Sequence, residues 1–88
     1  MPSVVTANIL RSGAVVYLAT GGRWVAALSD AAIAQDATAL KTLEQIATDA
    51  LARNDVTAVY AMDVRVVDGR PTPLSVRETI RAALAHSV

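Results

Sequence analysis

Ten residues, Ala58 to Val67, alternate across two faces and run straight into Asp68-Gly69. Ala58, Tyr60, Met62, Val64 and Val66 share one face, all apolar or nearly so. Val59, Ala61, Asp63, Arg65 and Val67 share the other, which is mixed. A period of two assigns a strand with one face in a core and one partly wet. Asp-Gly after such a run signals a two-residue hairpin, because both central residues of that turn take positive φ. The return segment, Arg70-Pro71-Thr72-Pro73, carries two residues that cannot donate to a ladder, so it reads as an edge strand or an extended connection. An antiparallel pairing is thus written into the C-terminal half of the chain.

The N-terminal half repeats the theme. Val4 to Leu10 is short and β-branched, Arg11-Ser12-Gly13 is a turn, and Ala14 to Ala19 reads as a second strand. Thr20-Gly21-Gly22 turns again, and Arg23-Trp24-Val25 adds a short extended piece. Ser29 and Asp30 offer helix caps, and Ala31 to Ala34 fits either one helical turn or a short edge strand. Asp36 opens the clearest helix. Leu40, Leu43, Ala47, Ala50 and Leu51 recur at spacings of three and four, with Ile46 widening the stripe. Asp49 and Arg53 stand at i, i+4 on its wet side, and Asn54 suits a left-handed C-terminal residue. Ser75 and Glu78 have capping-box spacing, which predicts a second helix from Val76 to about Ala85.

These elements have to share one small core. The chain has 88 residues, one domain's worth. Its apolar fraction is 53%, but phenylalanine is absent and Tyr17, Trp24 and Tyr60 are the only aromatics. Alanine supplies most of the excess, so few side chains carry the hydrophobic stabilisation. The absence of cysteine removes disulfides, thiolate metal sites, iron–sulfur clusters and thiol nucleophiles together. An unstapled small domain suits a reducing compartment, so a cytoplasmic location is expected. Net charge is zero, and residues 26–55 are the acidic third at −3. Such a balance gives no footprint for nucleic acid or an anionic membrane. No apolar run reaches the ~18 residues that read as a membrane-span candidate.

Few residues form a chemical constellation. His86 is the only histidine and lies near the end of the chain; it gives no ligand spacing and suggests no triad, and it reads as a solvated tail residue. Thr20-Gly21-Gly22-Arg23 lacks the glycine spacing and following helix of a phosphate loop, and reads as a turn. Catalytic, cofactor and metal residues are therefore assigned to none. The candidate binding residues are Asp63 and Arg65, two apart on the mixed strand face; Arg77 and Arg81, one turn apart on the predicted last helix; and Trp24, placed just after a loop. Each has a plain structural reading beside the functional one: a surface pair, a solvated helix face, a core aromatic.

Several segments together carry a resemblance. They are Val5-Thr6-Ala7-Asn8-Ile9-Leu10, Gly13-Ala14-Val15-Val16-Tyr17-Leu18, Gly22-Arg23-Trp24, Asp63-Val64, Asp68-Gly69-Arg70-Pro71 and Arg77-Glu78-Thr79-Ile80-Arg81-Ala82. Their order and spacing resemble a family of small uncharacterised bacterial proteins, mostly from alphaproteobacteria. Genes of that family tend to lie beside those for sulfite or nitrite reductase and sirohaem synthesis. The resemblance implies a context, assimilatory sulfur metabolism, and no activity for any residue.

The expected fold is a single α+β domain over residues 1–88. It is a two-layer sandwich with an antiparallel sheet of three to five strands and two helices on one face. The expected role is a non-catalytic accessory or protein-interaction protein, with a sulfite reductase component as its partner and a homodimer as a compatible state. The alternative is a small-ligand or anion-binding module that uses Arg65, Arg77 and Arg81.

Overall fold

The computed structural model describes residues 2–74 and 79–80. Among these residues five strands form one sheet: β1 (Ser3–Ile9), β2 (Val15–Leu18), β3 (Trp24–Val25), β4 (Val56–Val67) and β5 (Arg70–Pro73). The order across the sheet is β3-β2-β1-β4-β5, and every neighbouring pair is antiparallel. A single helix among the described elements, α1 (Ala37–Ala52), packs on one face. The expectation of an α+β domain on an antiparallel sheet holds at five strands. The expected second helix falls outside the described residues except at Thr79 and Ile80, which are helical.

Local chemistry places most of these elements. Asp36 caps α1, its Oδ1 accepting the Ala39 N–H at 2.8 Å, so one orphan donor of the first turn is satisfied. The helix ends as Asn54 turns left-handed at φ 62°. The expected Asp49–Arg53 pair does not form. Arg53 instead meets Asp55 at 3.1 Å beyond the helix end, and Asp49 accepts from Gln45. Asp68 and Gly69 both take positive φ, 53° and 75°, and Val67 pairs with Arg70 across the two-residue turn.

The sheet buries both faces, which the expected sandwich with helices on one face does not include. Toward α1 point Val5, Ala7, Val16, Leu18, Val56 and Val59, against Leu40, Leu43, Ile46, Ala47 and Ala50. Ala47 and Ala50 are fully buried, and their short side chains let the helix axis come close. Leu51, expected in the stripe, is exposed. On the opposite face Val4, Tyr17, Met62 and Val64 pack with Leu28 and Ala31. The short turn Leu28–Asp30 touches both β2 and β5, so the sheet curls around it. The ambiguity at Ala31 to Ala34 is settled against a helical turn: Ala31 is extended, and Ala34 exchanges backbone hydrogen bonds of 2.9 and 2.8 Å with Ser3 in an isolated bridge.

One irregularity decides which side chains face which core. The register of β1 on β4 shifts between Thr6 and Asn8, so that Ala58 and Val59 together oppose Ala7. This is a β-bulge, and Ala58 sits in it at φ 54°. The extra residue lets Val56 and Val59, three apart, both point at α1, while Tyr60, Met62 and Val64 serve the other core. Ala58 therefore does not share the Tyr60 face as strict alternation predicts. It is exposed.

Candidate functional site

Alternation resumes past the bulge, and cover by α1 ends between Val59, packed against the helix-side cores, and Ala61, which is exposed. From there β4 and β5 continue as a ribbon. The strand β1 ends at Ser3 opposite Asp63, and the Pro2 carbonyl accepts the last cross-strand bond, from the Val64 N–H at 2.9 Å. The outer face of this ribbon carries Ala61, Asp63, Arg65 and Val67 on β4, with Arg70 and Thr72 beside them on β5. All but Thr72 are exposed. The other face of the ribbon is anchored by buried Met62, Val64 and Pro71.

Asp63 and Arg65 thus share a face, as the alternation requires. Asp63 is held at its base, because the nearly buried Ser3 hydroxyl donates to its Oδ1 at 3.0 Å. Arg65 lies opposite Thr72, and Arg70 opposite Val67. The two arginines are therefore diagonal neighbours, a separation of about 7–8 Å in an antiparallel pair. Among the described residues neither guanidinium has an ion-pair or hydrogen-bond partner. Arg70 clusters in sequence with Arg65, Arg77 and Arg81 but is not among the candidate binding residues. The signal that finds it is the two-residue turn, which fixes Arg70 across from Val67 and hence on the Arg65 face.

Trp24 belongs elsewhere. It sits on β3, three strands from β4, and packs half-buried in both helix-side cores. It bridges Val16 and Leu18 to α1, which is the core role of a large aromatic in a chain without phenylalanine. Arg77 and Arg81 lie outside the described residues, as do His86 and the Ser75–Glu78 capping box.

A shallow depression of about 440 Å3 runs along α1, lined by Thr38, Lys41, Thr42, Gln45 and Ile46. The loop at Gly22 rests on the same helix, since a Cβ there would stand 3.5 Å from Ile46 Cγ2. All five lining residues come from one helix, so the depression has a floor and no facing wall. Its one ionisable group is Lys41. Such a surface does not surround a small molecule as ligand pockets do. Among the described residues no three His, Cys, Asp or Glu side chains gather as metal ligands. No helix among them is long and apolar enough to cross a membrane.

A family model described as a protein of unknown function, DUF2849, matches residues 3–83. No curated protein and no solved structure matches the chain.

Proposed function

We propose that this chain, which belongs to the DUF2849 family, is a non-catalytic interaction domain that docks a protein partner on the outer face of the β4–β5 ribbon. The observation that carries the reading is the state of Arg65 and Arg70: two exposed guanidinium groups, with no ion-pair or hydrogen-bond partner among the described residues, on one face of a ribbon whose other face is anchored in a core. Rigid strands hold them at fixed spacing, which suits recognition of carboxylates on another protein. Asp63 beside them adds a charge of opposite sign and so a register. The depression on α1 offers no enclosed chemistry to compete with this face. The resemblance of the sequence points to a component of assimilatory sulfite reduction as the partner and to the cytoplasm as the location.

The test is affinity capture of the tagged chain from sulfate-grown cells of its source, with Arg65→Glu/Arg70→Glu in parallel. The expected result is retention of a sulfite reductase component by the natural sequence and its loss with the double variant. Retention that survives the double variant overturns the surface. Capture without any reductase component overturns the partner.

A second reading, a small-anion module, draws on the same diagonal arginines. Titration with sulfate, followed through the Arg65 and Arg70 side-chain NMR signals, separates the two. Saturable shifts at both residues favour the anion.

A further inference from the structure

The outward row of β4 reads Ala61, Asp63, Arg65, Val67: apolar, acid, base, apolar. Its midpoint is Val64, which points to the other face. Turned over by a two-fold axis that crosses the strand at Val64, the row matches itself. Asp63 then meets Arg65 of a second copy, Arg65 meets its Asp63, and Ala61 and Val67 meet reciprocally, small against large. This is the relationship an isologous contact demands, in which residue i touches j and j touches i. We propose that the outer face of the β4–β5 ribbon binds a second copy of this chain. The proposal rests on the reading of that face as a docking surface, and gives it a self-complementary occupant that competes with the partner protein for it.

Other features agree with a face-to-face contact. Opposed sheets sit about 10 Å apart, a gap that an extended arginine and a short aspartate bridge together. Helix α1 stops short of Ala61, so no described element continues that layer over the ribbon. The outer edge of β5 offers no N–H at Pro71 or Pro73, which closes the alternative of extending the sheet through that edge. On each copy the row is much smaller than the ~800 Å2 per partner of a standard interface, so the association is weak and concentration-dependent.

Sedimentation of the full chain over a wide concentration range tests it, with four variants. Each single reversal, Asp63→Arg or Arg65→Asp, places like charges across the two-fold and weakens association about tenfold or more. The double swap, Asp63→Arg/Arg65→Asp, regenerates the pattern in reverse order and restores it. Ser3→Ala removes the hydrogen bond to Asp63 without altering charge, and leaves association within about twofold. A chain monomeric at every concentration, or a double swap as weak as the single reversals, overturns the proposal. Partner capture by the natural sequence tells the two readings apart: a partner retained by a chain that is monomeric at every concentration leaves the docking surface standing and removes the second copy alone.

Discussion

Pro71 stands directly across from Val66, and the N–H that Pro71 lacks would point away from β4. The phase follows from two independent features. The Val64 N–H is bonded toward β1, so past the bulge the even residues of β4 face that strand and the odd ones face β5. The two-residue turn makes Val67–Arg70 a hydrogen-bonded pair, and alternation makes Val66–Pro71 a non-bonded one. Pro73, across from Val64, falls in the same phase. Both prolines therefore spare the β4–β5 ladder and strip donors from the outer edge alone.

Restoring those donors should make the edge adhesive. The variant Pro71→Thr/Pro73→Thr is expected to keep the fold, as judged by far-ultraviolet circular dichroism, and to aggregate faster on mild heating, as judged by light scattering. By contrast, Arg65→Pro removes a donor that does point into the β5 ladder, and should cost about 1–3 kcal/mol in urea unfolding. Equal behaviour of the two variants would refute the phase assignment.

The buried alanines of α1 set how close the helix lies to the sheet. Ala47 packs with Val5 and Leu18, and Ala50 with Ala7, Val16 and Val56, both at zero exposure. Enlarging either side chain has nowhere to go without lifting the helix. Ala47→Leu and Ala50→Leu should each destabilise by about 1–3 kcal/mol in urea unfolding. The same change at exposed Ala52, on the wet side, should be within about 0.5 kcal/mol of neutral.

Asp36 supplies the side-chain acceptor at the start of α1. Asp36→Ala should lower stability by about 0.5–2 kcal/mol, and Asp36→Ser should recover most of it. Thermal unfolding followed at 222 nm reads both.

How much of this architecture the chain announces varies with the range of the interaction involved. The Asp36 cap, the left-handed Asn54 and the Asp68-Gly69 turn are local, and each is legible from a few residues. The common face of Asp63 and Arg65 follows from alternation alone. The second core is not legible. It depends on residues 26–34 folding back over Tyr17 and Met62, and the alanine-rich run there has no period that chooses helix or strand until Ser3 offers Ala34 a partner. Trp24 is ambiguous for a related reason: its position after a loop suits a surface anchor, and only the packing of β3 against α1 gives it a core to fill. Arg53 has two acids within reach in sequence, and the turn after the helix delivers Asp55.

The bulge at Ala58 is the least legible feature, because alanine is not the residue a positive φ calls for. A β-carbon at φ 54° costs about 1–2 kcal/mol relative to the usual conformations, a cost glycine escapes. The surrounding pairing overrides it: without the extra residue, Val56 and Val59 cannot both reach α1 while Tyr60, Met62 and Val64 fill the other core. Ala58→Gly should therefore raise stability by up to about 1 kcal/mol, the relief of strain being partly offset by the greater freedom of glycine in the unfolded chain. In an unbulged strand the same substitution lowers stability. Ala58→Val, β-branched at positive φ, should cost more than about 1 kcal/mol despite the favourable strand propensity of valine. Urea unfolding of the pair measures both signs. A loss of stability with Ala58→Gly and a gain with Ala58→Val would mean that residue 58 lies in ordinary extended backbone, and that the two cores are partitioned along β4 by some other device.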